Sequence, residues 1–157
     1  MILCLIKLPL RFNLKRVKKN IKNVIGNIET ELMDDFLELL LDLMRLVFSL
    51  NFKHYRENIK GFTATYNFVS EDGRIAAAAV FANKKMKMKK EKVPDDDPDL
   101  KVTVTFKDGH ALWRFLMSGT PDIFKSVLDR DISYEGNLNY LLKFAYMSRH
   151  MKTMFGL

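Results

Sequence analysis

A three- and four-residue spacing of apolar residues predicts a basic amphipathic helix near the start of the chain, with lysine and arginine on its other faces. The apolar positions are Leu14, Val17, Ile21, Val24 and Ile28. A second helical pattern runs from about residue 28 to residue 54, and its stretch from 36 to 50 is apolar on nearly every side, which predicts deep packing. We therefore divide the chain into an N-terminal basic amphipathic extension, residues 1–27, and one domain, residues 28–157.

From residue 62 the period changes to two, which predicts β-strands. The strands are FTATYNFV (62–69), RIAAAAVFA (74–82) and KVTVTF (101–106), and the turn signal SEDG between the first two predicts a hairpin. In the first strand, Phe62, Ala64, Tyr66 and Phe68 share one face. Helices at 110–119 and 121–129, a short strand at 131–134 and a terminal helix from Asn137 complete the predicted elements.

The run KKMKMKKEK, residues 84–92, alternates methionine with lysine. Met86 and Met88 fall on one face, so the run is interpreted as the end of the second strand with its methionines inward. Lysines on such a strand keep the surface solvated and discourage edge-to-edge association, which we favour over a binding role. Nucleic-acid-binding segments usually interleave aromatic residues with basic ones, and this run has no aromatic residue.

Charge and cysteine content limit the classes of function. A chain of 157 residues has room for one ordinary domain, and its net charge of +7 makes an anionic partner plausible, either phospholipid or nucleic acid. The single cysteine, Cys4, excludes an internal disulfide and favours the cytoplasm. The apolar first ten residues lack the features of a signal peptide and are too short to span a bilayer.

The sequence carries no recognisable enzyme signature. The three histidines, His54, His110 and His150, are scattered without a metal-ligand spacing. The aspartates of residues 95–99 lack the glycine and distal glutamate of a calcium loop, so we interpret them as a solvated turn. We expect no catalytic residues, no cofactor and no metal.

The second half of the chain resembles the sterol carrier protein type-2 family, over about residues 60–150. The resemblance rests on KVTVTFKDGHAL, a helix ending in MSG, TPDIFKSVLD and DISYEGNLNYLLKF, with Gly119 and Gly136 where the family has glycine. Arg130, Ser126 and Asn137 depart from the glycine, alanine and aspartate that are usual there. The resemblance implies an α/β (α+β) fold in which a mixed sheet covered by helices encloses an apolar tunnel for a sterol, fatty acyl chain or other lipid, without catalysis.

Small side chains at 76–79 leave space on the predicted sheet, which either a closely packed helix fills or a ligand cavity occupies. Together with the resemblance, nine methionines and twelve phenylalanines favour an adaptable cavity centred on Ala79. The predicted lipid-binding residues are Phe68, Ala77, Ala79, Phe81, Val104, Phe106, Leu112, Leu116, Phe124, Leu128, Leu141 and Phe144.

Two alternatives stay open. The chain could instead be a protein-protein interaction module in which residues 10–50 form a dimerising helix and the core is filled; nucleic-acid binding rests on charge alone. The N-terminal extension carries seven basic residues and no acidic residue before Glu29, which suits either a helix in an anionic membrane interface or a helix packed on its own domain. The basic residues are Lys7, Arg11, Lys15, Arg16, Lys18, Lys19 and Lys22.

Overall fold

The computed structural model describes residues 33–49, 57, 60–117 and 123–155. The elements in chain order are α1 (Met33–Ser49), β1 (Ala64–Ser70), β2 (Ala76–Ala82), β3 (Lys85–Lys89), β4 (Leu100–Phe106), α2 (Gly109–Met117), α3 (Ile123–Leu128), β5 (Ile132–Gly136) and α4 (Leu138–Phe155). The predicted extension at residues 1–27 and its helix lie outside the described residues, so the boundary at residue 27 stays a prediction.

The strands form one five-stranded sheet in the order β3-β2-β1-β4-β5. β1 lies at the centre and pairs antiparallel with β2 and parallel with β4, while β3 and β5 form the edges. The sheet is therefore mixed and carries helices, which confirms the predicted α/β class.

The lysine-rich run forms a strand of its own, and the prediction that it continues the second strand is wrong. Asn83 and Lys84 both adopt left-handed backbone angles, with φ of 52° and 59°, and they turn the chain so that β3 runs back along β2. A two-residue hairpin turn of this kind is usually marked by glycine, which is absent here. The predicted alternation is correct, because Met86 is buried and the lysines of β3 are exposed.

The connection from β3 to β4 crosses the sheet on the face opposite the helices. The Asn67 side chain donates from Nδ2 to the Val93 carbonyl at 3.0 Å and accepts from the Val93 N–H at 2.9 Å. Ala78, the pairing partner of Asn67 on β2, is fully buried on this face. Part of the alanine run therefore allows the close approach of the crossover, a role that the sequence did not indicate.

Gly136 is required by the way that β5 meets β4. The Asn137 N–H, directly after Gly136, donates to the Lys101 carbonyl at 3.0 Å. Elsewhere on β4, its pairing with β1 shifts register between Thr65 and Tyr66. Gly136 has a φ of +112°, and a Cβ atom there would collide with the backbone of Lys101. The glycine that the resemblance singled out at this position is therefore required for steric reasons.

Arg130 ends α3 in a conformation that normally belongs to glycine. The Asp131 N–H donates to the Ser126 carbonyl and the Arg130 N–H donates to the Val127 carbonyl, at 3.0 and 3.1 Å. These two bonds form the Schellman motif of a helix C-terminus, whose left-handed residue is most often glycine. Arg130 occupies that position with a φ of 58°.

Candidate functional site

α1 and α4 are two of the helices that cover one face of the sheet. Tyr66 and Phe68 of β1 and Phe81 of β2 point to this face and are buried. The Phe48 ring of α1 meets the edge of Phe81 at a centroid distance of 5.8 Å, and Phe144 of α4 packs on Phe68 at 4.8 Å. The face between sheet and helices, here called the aromatic layer, is the candidate site.

Tyr66 lies at the centre of the aromatic layer. Its ring centroid is 5.2 Å from that of Phe144, 5.7 Å from that of Phe81 and 6.5 Å from that of Phe68. Its hydroxyl donates a hydrogen bond of 3.0 Å to the backbone carbonyl of Tyr140. Burial raises the pKa of Tyr66 far above its usual value, and Tyr140 adds to the shift, so the hydroxyl stays protonated.

The two helices also contact each other. The Ser148 hydroxyl of α4 donates to the Met44 sulfur of α1 at 3.7 Å. Buried side chains recur at three- and four-residue spacing on α1, so one face of this helix is committed to its own domain. These side chains are Leu37, Leu40, Leu41, Met44 and Phe48.

Nine of the twelve predicted site residues lie in one buried hydrophobic cluster. They are Phe68, Ala77, Ala79, Phe81, Val104, Phe106, Leu112, Leu141 and Phe144. The side chain of Leu116 lies outside the described part of the structure. Whether the nine hold a ligand remains a prediction.

Phe124 and Leu128 do not join this cluster, and the expectation that they do is wrong. Their exposed fractions are 58% and 82%. α3 turns Ile123 inward and leaves Val127 partly buried, so the face one residue further along points to solvent. In the sequence IFKSVL both faces are apolar, and the pattern alone does not choose between them.

The sheet surface at the alanines is closed in this conformation. Ala77 and Ala79 are 2% and 0% exposed, so both side chains are packed against neighbouring residues. Ala79 therefore sits in close packing, which was one of the two alternatives for the space it leaves. A ligand could reach this position only if the helices separate from the sheet.

Sequence reasoning missed several members of the aromatic layer. It placed Tyr66 on the inward face but did not include it in the site, although strand alternation carried that signal. Met44 and Phe48 of α1 were missed because their contacts with Ser148 and Phe81 join distant parts of the chain.

Neither a metal-binding cluster nor a membrane-spanning helix occurs among the described residues. No group of three or more His, Cys, Asp or Glu side chains that could hold a metal occurs among residues 33–49, 60–117 and 123–155. In the same ranges, no helix combines the length and apolar character needed to cross a bilayer.

A mixed five-stranded sheet with its helices arranged in this way is the fold of sterol carrier protein type-2 domains. Among solved structures, the chain is similar to a UbiJ-SCP2 ubiquinone synthesis protein, with a TM-score of 0.54 and 9% identity over 76% of this chain and 95% of that one. This likeness establishes the fold.

Two further structures resemble the chain with lower TM-scores. The sterol carrier protein domain 2 of Helicoverpa armigera has a TM-score of 0.48 and 18% identity over 72% of this chain and 85% of that one. The inverting sec-alkylsulfatase Pisa1 of Pseudomonas sp. has a TM-score of 0.48 and 18% identity over 59% of this chain. The chain spans 14% of the length of that enzyme. No family model and no curated protein matches the sequence.

Proposed function

We propose that this protein binds a lipid, such as a sterol, a fatty acyl chain or another long apolar molecule, between the sheet and the helices α1, α2 and α4, and that it does so without catalysing a reaction. The bound lipid would be carried or presented to another molecule. Its ligand wall would include the nine buried residues of the predicted site together with Tyr66.

The aromatic layer is the observation that carries this proposal. Lipid sites are concave and mostly apolar, with a small number of polar groups that fix the orientation of the ligand. The layer joins rings from β1, β2, α1 and α4, and its polar atoms include the hydroxyls of Tyr66 and Ser148. The Tyr66 hydroxyl could transfer its hydrogen bond from Tyr140 to a polar end of the ligand.

Adaptable side chains make opening of the layer feasible. Met44, Met86 and Met147 all belong to the buried cluster, and unbranched methionine repacks around ligands of different shapes. The fold is shared with a protein named for ubiquinone synthesis, so quinones should be tested beside sterols and fatty acids.

The test is recovery of a lipid from the purified full chain. Gentle denaturation and organic extraction, followed by mass spectrometry, should release a lipid in near-stoichiometric amount that is missing from an unrelated protein purified in the same way. Labelled fatty acid, cholesterol and ubiquinone are then titrated into lipid-free protein. Failure to recover lipid together with failure of all three probes to bind would contradict the proposal.

The interaction module remains a second candidate, because Ala79 is fully buried and a filled core is what that alternative predicted. Its helix would have to come from residues 10–50, yet five apolar side chains of α1 are already buried in its own domain and Leu46 is partly buried. The oligomeric state of the full chain, measured by light scattering as it elutes from a sizing column, distinguishes the two candidates. A dimer that persists on dilution and that carries no lipid would favour this candidate.

The N-terminal extension is proposed to hold the protein at an anionic membrane surface in the cytoplasm. Each lysine or arginine near an anionic leaflet contributes on the order of 1 kcal/mol, so seven such residues could retain a small protein there. Replacing Lys15, Lys18, Lys19 and Lys22 by glutamine should weaken sedimentation with anionic vesicles. Unchanged sedimentation would indicate instead that this segment packs on its own domain.

A further inference from the structure

Lysines line the edge that β3 forms in the described sheet. Lys85, Lys87 and Lys89 of β3 and Lys84 in the preceding turn are exposed and are here called the lysine edge. Alternate residues of a strand point the same way, so the three lysines of β3 extend over about 13 Å along one face. β3 pairs on one side with β2 and forms the end of the sheet on the other.

These charges are not neutralised by the described part of the protein. None of the four lysines makes an ion pair within residues 33–49, 60–117 and 123–155, whereas Lys90 and Lys92 further along bind Glu38 and Asp95. The strand beside them, β2, contains only alanine, valine and phenylalanine.

Asp99, the last acidic residue of the crossover, lies at a distance from the lysine edge. The Asp99 carbonyl accepts from the Thr65 N–H of β1, which places this residue two strands, or about 10 Å, from β3. Opposite Lys85 and Lys87, the side chains of Ala82 and Val80 are partly exposed, so a small apolar strip adjoins the cations.

We propose that the lysine edge is a docking surface for an anionic phospholipid bilayer. Its charge, its exposure and the apolar strip beside it complement a headgroup layer, where each lysine adds to the attraction. Residues 84–92 contain no aromatic side chain on which a base could stack, so single-stranded nucleic acid is disfavoured as the partner of this surface. The proposal does not depend on a bound lipid, and it would place the seam between β3 and α1 next to the bilayer.

The experiment measures sedimentation of the full chain with phosphatidylcholine vesicles, with and without phosphatidylserine. In the test variant, Lys85→Gln and Lys87→Gln are combined. Its matched control combines Lys107→Gln with Lys125→Gln, which removes the same charge from exposed positions near the opposite edge of the sheet. A third variant, Lys85→Arg with Lys87→Arg, keeps the charge. Thermal melting checks that all three fold like the parent.

We expect the first variant to lose affinity for phosphatidylserine vesicles by roughly tenfold or more, since two lysines are removed from the contact. The control should lose much less, the arginine variant should bind like the parent, and added salt should weaken binding. Equal losses in the first two variants would reduce the effect to net charge and overturn the proposal.

Two other results would also overturn it. If the first variant aggregates while its vesicle binding is unchanged, the lysines only protect a sheet edge from association. If duplex DNA binding falls more than vesicle binding, the surface serves nucleic acid instead.

Discussion

Asn67 and Val93 are joined by two reciprocal hydrogen bonds, of 3.0 and 2.9 Å, in a region where both residues are buried. One amide side chain thereby satisfies both backbone groups of a residue in the middle of the crossover. The link holds the crossover against the central strand, on the side of the sheet opposite the aromatic layer.

Replacing Asn67 with alanine should lower the free energy of unfolding by ~2 to 4 kcal/mol, because the N–H and carbonyl of Val93 would remain buried without partners. Urea denaturation measures the change. Asn139→Ala, at an exposed position of α4, is the control and should stay within about 0.5 kcal/mol of the parent. Equal losses in the two variants would show that the link to Val93 adds no stability.

Gly136→Ala should be one of the most damaging small substitutions in the described chain. The new methyl group would collide with the Lys101 backbone, so we expect a loss of ~3 kcal/mol or more in thermal or chemical unfolding. Gly73 also has a positive φ, of +71°, but open space surrounds it. Gly73→Ala should therefore cost only about 1 to 2 kcal/mol, and a similar cost at both glycines would contradict the steric argument.

Arg130→Gly should stabilise the protein by about 1 kcal/mol, because glycine adopts the left-handed conformation at the end of α3 without strain. The measurement is the melting temperature. Arg130→Ala removes the same charge but keeps the strain, so it should give no such gain. If alanine stabilises as much as glycine, the benefit comes from the lost charge rather than the backbone.

Ala79→Phe tests the position of the proposed ligand. Because Ala79 is fully buried, the larger side chain should cost about 1 to 3 kcal/mol of stability, and it should abolish binding of the labelled lipids. Ala76→Phe, on the same strand but exposed on the other face, should keep lipid binding. If Ala79→Phe changed only stability and left binding intact, the ligand would lie elsewhere.

The faces of the strands could be predicted from sequence, because alternation fixes which side chains share a face once a strand forms. This is why Phe68, Ala77, Phe81 and Val104 were correctly grouped before any pairing was known. The order of the strands could not be predicted in the same way. Parallel pairing of β1 with β4 depends on contacts between distant segments.

Local signals failed where the usual residue is missing or the pattern is ambiguous. The turn at Asn83 and Lys84 lacks the glycine that marks left-handed backbone, so the sequence pattern does not separate β3 from β2. α3 presents apolar side chains on two faces, so the pattern does not reveal that Phe124 and Leu128 point to solvent. The hydrogen bonds of Asn67 leave no local pattern in the sequence, because β2 and β3 both lie between Asn67 and its partner along the chain.

The parallel pairing of β1 with β4 has a consequence for the order in which the protein folds. β1, β2 and β3 are joined by short turns, whereas β4 can take its place beside β1 only after the chain has passed both other strands and the crossover. Closing a longer loop carries a larger entropic cost and slows folding. We therefore expect amide protons of the three-stranded meander to gain protection first in pulse-labelled hydrogen exchange, with β4 and β5 following; simultaneous protection of all five strands would show that the sheet instead forms in one concerted step.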